Sequence, residues 1–128
     1  MILMVMEVGL TYTASATVTE ALTAASMGSG DMAVLATPAM MALMEHAAMM
    51  AVASALPEGS TTVGSFISSS HVRPTAFGRK VTATAVLTAI EERKLSFDVQ
   101  AQDEEGVVIG KGSHVRFVVD RARFLSKI

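Results

Sequence analysis

A hydroxyl, a carboxylate and an imidazole, at Thr37, Glu45 and His71, are the side chains of this 128-residue sequence best suited to moving protons or attacking a carbon centre. Glu45 stands inside the run Ala36-Thr37-Pro38-Ala39-Met40-Met41-Ala42-Leu43-Met44-Glu45-His46-Ala47-Ala48-Met49-Met50-Ala51-Val52-Ala53. A carboxylate amid so much apolar surface is costly unless it is paired, locally solvated or used. A neighbour across a subunit interface or a solvent channel would relieve it. Its company of Leu43, Met44, Ala47 and Ala48 tips the balance toward function.

His71 follows Ser68-Ser69-Ser70 and precedes Val72-Arg73-Pro74, near the end of a strand-like segment. A lone histidine is more often structural, so its promotion depends on meeting Glu45. His46 and His114 are its rivals. His46 is rotated roughly 100° from Glu45 around a helix and should face elsewhere. Thr37 has a plain alternative as the N-cap before Pro38. It also lies eight positions before Glu45, roughly 12 Å of axial rise in a helix. Direct contact between them along one chain is not expected. A shared site needs a substrate that spans them, or a second copy that supplies one of them.

The elements that must carry these residues follow from periodicity. Thr11–Thr19 alternates polar and small apolar residues and predicts a strand; 20–31, rich in Ala, Ser and Gly, predicts a short helix or mobile flap. Pro38 to Leu56 predicts one long helix, closed by Pro57-Glu58-Gly59. The period then changes to two. Strands are predicted over Val63–Arg73, over the alternation from Val81 to Ile90, over Leu95–Gln102 and from Val107 to about Asp120. The order β-α-β-β-β-β predicts an α+β domain spanning 1–128, an antiparallel sheet of about five strands wrapping one central helix.

Composition narrows the function classes. The chain is 51% apolar and 17% charged, greasier than an average soluble domain, which fits burial against a second copy. A net charge of -2 and no basic cluster beyond Arg79-Lys80 or Arg93-Lys94 argue against nucleic acid. With no cysteine there is no thiolate chemistry, and a reducing, cytoplasmic setting is expected. The apolar start, Met1 to Met6, is short, lacks a basic flank and reaches Glu7 at once, so it does not read as a leader. Glu45 and His46 at the centre of the long helix argue against a membrane span. Ten methionines read as core filler, and the histidines and acids show no metal-ligand spacing. Neither a phosphate-binding glycine loop nor a nucleophile elbow is present.

From about Val34 to Phe124 the sequence resembles the hotdog-fold acyl-CoA thioesterases, in the branch typified by fluoroacetyl-CoA thioesterase. Four stretches carry the resemblance: Ala36-Thr37 leading into Leu43-Met44-Glu45; Gly64 seven residues before His71; Gly78 to Leu95-Ser96; and Gly110-Lys111-Gly112-Ser113-His114-Val115-Arg116. The intervals from Thr37 to Glu45 and from Glu45 to His71 match those of the family. The resemblance implies a catalytic Thr37, Glu45 and His71, a substrate-contacting Gly64 and Arg116, and a homodimer, with a tetramer also open, binding acyl-CoA at the subunit interface. It implies no metal and no cofactor beyond the CoA of the substrate. Asp31 stands where the family carries a lid phenylalanine, and no aromatic residue lies between Tyr12 and Phe66. A general short- or medium-chain acyl-CoA, or an aryl thioester, is therefore expected rather than selectivity for fluoroacetyl-CoA. Glu45 would serve as base or nucleophile, His71 would orient and protonate, and Arg73, Arg79 and Lys80 would meet CoA phosphates or simply form a solvated turn. The alternatives are a hydratase or dehydratase acting on acyl thioesters, and a non-catalytic acyl-CoA-binding protein.

Overall fold

The computed structural model describes residues 6–128, so the apolar start of the chain lies, but for Met6, outside them. Five strands, β1 (Thr11–Thr17), β2 (Ser60–Ser69), β3 (Lys80–Glu91), β4 (Lys94–Asp103) and β5 (Val108–Asp120), form one sheet in the order β1-β3-β4-β5-β2. Every neighbouring pair is antiparallel. The long helix, α2 (Thr37–Ala53), packs on the face of this curled sheet, mainly against β3 and β1. Short helices α1 (Ala24–Met27) and α3 (Arg121–Ser126) complete the set. This is the α+β arrangement expected from the sequence.

The period-two alternation explains the core. Val81, Ala83, Ala85 and Leu87 of β3 and Leu95, Phe97, Val99 and Ala101 of β4 all turn inward and are buried. Ala39, Met40, Met44, Ala47, Ala48, Ala51 and Val52 of α2 meet them. The many alanines on both sides let helix and sheet approach closely, and the flexible methionines fill what remains. His46 is exposed, facing away as its rotation required.

Some boundaries shift. The helix ends at Ala53 rather than Leu56, and β2 covers Ser60–Ser69 rather than Val63–Arg73. Ser60, Thr61 and Thr62 join because their backbone pairs with Asp120, Val119 and Val118. Beyond Ser69 the chain still follows β5 loosely, through Ser70 N–H to Lys111 O (2.9 Å) and Val72 N–H to Ile109 O (2.7 Å). Segment 20–31 is a 3-10 turn at Glu20–Leu22 followed by α1, tied back by Ala24 N–H to Val34 O (2.8 Å) and Ala25 N–H to Met32 O (3.1 Å). It is a braced wall.

The β2–β5 seam is held tight by glycine. A Cβ on Gly112 would collide with the Ser68 carbonyl and stand 2.7 Å from Ser69 Cα, both backbone atoms that cannot step aside. Gly112→Ala is expected to force β2 outward and lose about 1–3 kcal/mol. Thermal unfolding followed by circular dichroism checks it, and an unchanged midpoint would contradict so tight a seam.

Candidate active site

Thr37 opens α2, and the capping position is not its own. Ala36, in extended conformation, is the N-cap, Thr37 is the first helical residue, and no side chain caps the helix. The N-cap expectation is therefore corrected: with Pro38 inside the first turn, one orphan N–H is already gone and the threonine hydroxyl is released for another use. Thr37 Oγ1 lies 2.7 Å from His71 Nδ1. His71 is placed there by the run beyond β2 that still follows β5.

The other imidazole nitrogen, His71 Nε2, is shielded from solvent and has no hydrogen-bond partner among the described residues. Burial lowers the His71 pKa below its ordinary value, which favours the neutral ring near pH 7. A shallow cleft of about 270 Å³ opens beside the pair. Ala24, Ser29, Val34 and Leu35 wall one side, and Val72, Arg73 and Pro74 the other. The braced 20–36 segment thus forms half of the cleft with small side chains, and among the described residues no Phe, Tyr or Trp lines it. Asp31 is exposed.

Glu45 sits elsewhere. It is half-buried two turns further along α2, against Gly64 of β2. The position a Cβ on Gly64 would take lies 2.9 Å from Glu45 Oε2, 3.2 Å from His114 Cε1 and 3.3 Å from Arg116 Nη1. Three polar side chains therefore pack against Gly64 so closely that any side chain there would displace one of them. Arg116, 7% exposed, reaches it from β5. Its Nε–H donates to Thr62 Oγ1 (2.7 Å), its Nη2 donates to the Thr62 carbonyl (2.9 Å), and its Nη1 lies 3.1 Å from His114 Nε2. Burial lowers the Arg116 pKa and Glu45 opposes that shift, so the two charges act on one another. They form no direct ion pair among the described residues.

The five candidate residues thus fall into two groups. Thr37 and His71 meet in one; Glu45, Gly64 and Arg116 meet in the other. Among the described residues Glu45 makes no hydrogen bond to Thr37 or His71, and two geometric facts hold the groups apart: the rise along α2 between Thr37 and Glu45, and the seven residues of chain between Gly64 and His71. Thr62, which did not stand out beforehand, belongs to the second group, and so does His114, named in the sequence only as a rival to His71. One signal was present, since His114 and Arg116 are two apart on a strand and so share a face.

The basic cluster near the cleft is largely engaged. Arg73 pairs with Asp103 at 3.6 Å and Arg79 with Glu104 at 3.9 Å, both at the surface. That favours a solvated turn over a phosphate clamp. Among the described residues no three His, Asp or Glu side chains are grouped to hold a metal, and no helix is long and apolar enough to cross a membrane.

Known proteins place this architecture. The model of the FlK family, fluoroacetyl-CoA-specific thioesterase, matches residues 18–122. The fluoroacetyl-CoA thioesterase of Streptantibioticus cattleyicolor is 41% identical over 96 residues, which span 74% of this chain and 68% of that protein. Among solved structures, an FlK variant in complex with acetyl-CoA superposes with a TM-score of 0.89 at 33% identity, over 95% of this chain and 96% of the other. A hot-dog-like protein from Thermanaerovibrio acidaminovorans, 22% identical, gives a TM-score of 0.85 over 98% and 92% of the two chains and shares the fold. By sequence and by structure, the chain belongs to the FlK family of thioesterases.

Proposed function

We propose that this protein hydrolyses acyl-CoA thioesters to the free acid and CoA, at two equivalent sites shared between the subunits of a homodimer. The observation that carries the reading is the convergence of the Glu45 carboxylate and the Arg116 guanidinium on Gly64, where a Cβ would lie 2.9 Å from Glu45 Oε2 and 3.3 Å from Arg116 Nη1. A thioester bound against Gly64 brings its carbonyl toward a carboxylate, with a guanidinium beside it. Relatives named as fluoroacetyl-CoA thioesterases, and an FlK structure holding fluoroacetate and CoA, support the substrate class.

The dimer completes the site. β2 is a sheet edge whose outer side has no strand partner among the described residues, and Phe66 on it is 55% exposed. A bare, partly apolar edge of ten residues is a template for pairing with a second copy. Antiparallel pairing about a dyad between Ile67 and Ser68 sets Gly64 of one chain opposite His71 of its mate. Glu45, Gly64 and Arg116 of one subunit then face Thr37 and His71 of the other.

In that composite site water adds to the thioester carbonyl as Glu45 takes its proton, or Glu45 itself attacks and the anhydride so formed is hydrolysed. In both routes the carbon–sulfur bond breaks, the thiolate leaves, and the proton lost by water ends on sulfur. His71, neutral and held by Thr37, is the group placed to carry it. Arg116 stabilises the oxyanion. The small-residue cleft suits a short- or medium-chain or aryl acyl group, without a ring to close over fluorine. A cytoplasmic location, no cofactor beyond the substrate's own CoA, and one domain over 1–128 complete the proposal.

The test is CoA release, by thiol detection, from a panel of acetyl, fluoroacetyl, medium-chain and aryl CoA esters. Turnover of one or more esters supports the reading and names the acyl group. Binding of the esters without turnover would replace hydrolysis by a binding or hydratase function.

A further inference from the structure

The spot at Gly64 is backed by a histidine to which the catalytic scheme above assigns no task. His114 lies on β5 two residues before Arg116 and is 1% exposed. Its ring stands beside the buried Phe97, centroids 6.1 Å apart. Its Nδ1 is 2.6 Å from the carbonyl oxygen of Phe66. That carbonyl is presented by a β-bulge: Gly64 pairs with Arg116 and Phe66 with Val115, so Ser65 is the extra residue.

A carbonyl oxygen only accepts, so Nδ1 carries the hydrogen and Nε2 keeps its lone pair. Nε2 in turn lies 3.1 Å from Arg116 Nη1, and a guanidinium only donates. Both ends of the ring are thereby fixed in one tautomer, and a second proton on His114 would set a donor against a donor. The energetics agree: burial lowers the His114 pKa, the Phe66 bond opposes this, Arg116 adds to it, and Glu45 opposes it. With Thr62 taking Nε–H and one N–H of Nη2, and His114 taking one of Nη1, three of the five guanidinium hydrogens are committed. Nη1, which keeps one uncommitted hydrogen, is the Arg116 nitrogen that packs against Gly64.

We infer that His114 is a positioning residue: as an obligate neutral acceptor it orients Arg116, so that one N–H of Nη1 faces the acyl site between Glu45 and Gly64. The inference deepens the acyl-CoA reading and rests on it for its kinetic consequences. The bulge at Ser65 is part of the device, because it aims the carbonyl that selects the tautomer.

Two substitutions of similar size separate positioning from packing. Gln at 114 keeps an amide donor for Phe66 and an acceptor for Arg116; Leu keeps volume alone. With the best ester of the panel, His114→Leu is expected to lose at least ~10-fold in kcat/KM, and His114→Gln to stay within ~3-fold of wild type. In an Arg116→Lys background, His114→Leu should add less than ~2-fold, because the group it aims is gone. Equal losses for Leu and Gln in folded proteins, or losses that multiply in the double variant, would overturn the inference. A readout independent of turnover is nitrogen-15 NMR of the wild type. An Nδ1–H tautomer at 114 near pH 7, with a slowly exchanging Arg116 Nε–H, supports it even if His114→Leu fails to fold. An Nε2–H tautomer would refute it. If no ester is hydrolysed, the proposed function falls while the NMR still decides the orientation of Arg116.

Discussion

Replacing Glu45 by Gln is expected to lower kcat/KM for the best acyl-CoA by about 10²–10⁴-fold while the fold survives. The substitution keeps size and removes the charge proposed to act as base or nucleophile. Little in the structure depends on that charge otherwise. Glu45 makes no ion pair among the described residues, and Arg116 keeps its bonds to Thr62 and its contact with His114 without it. The apolar neighbours on α2, Met44, Ala47 and Ala48, remain buried in either variant. Circular dichroism should therefore show a nearly unchanged helix and sheet beside the kinetic collapse. A Glu45→Gln enzyme within about threefold of wild type would mean that the carboxylate merely fills a half-buried place, and the catalytic scheme would have to be rebuilt around Arg116 and His71.

Mixing two dead variants should restore activity. His71→Ala removes the only imidazole in hydrogen-bond contact with Thr37 among the described residues and should be as inactive as Glu45→Gln. In a heterodimer of the two, one composite site receives both defects. The other receives His71 from the Glu45→Gln chain and Glu45 from the His71→Ala chain, both intact. Random exchange makes half of the dimers mixed, with one of two sites working, so about a quarter of wild-type activity should return from a symmetric homodimer. The measurement is CoA release after unfolding and refolding the equimolar mixture, beside each variant refolded alone. No recovery, with dimers verified by light scattering, would place both groups at a site within one chain. That outcome would demand a large movement, since Thr37 and Glu45 are separated by two turns of α2.

Much of the architecture was legible because it is written in contiguous residues. The alternation through Val81–Leu87 and Leu95–Ala101 needs a sheet with one buried face, and the Ala/Met run needs a helix buried on most of its sides. The proline after Thr37 located the helix start to within a residue but misled about the cap. A hydroxyl can cap a helix or bond a distant ring, and only the arrival of His71, 34 residues later, decides which. Element ends shifted for a similar reason: Ser60 and Thr61 look like turn residues until Val119 and Asp120 pair with them.

The candidate site was legible as a set of residue types and not as a constellation. Sequence by itself determined that a carboxylate would sit inside an apolar helix, that His46 would point away from it, and that His114 and Arg116 would share one face of a strand. These follow from the 3.6 and 2.0 periods, which are local. Tertiary structure alone decided that Glu45 meets Gly64 and Arg116 while Thr37 meets His71. Those meetings depend on the order β1-β3-β4-β5-β2, on the bulge at Ser65 and on the direction in which α2 crosses the sheet. Each is set by pairings between residues distant in the chain, such as Gly64 with Arg116, where packing of the whole core, and not any local preference, fixes the register.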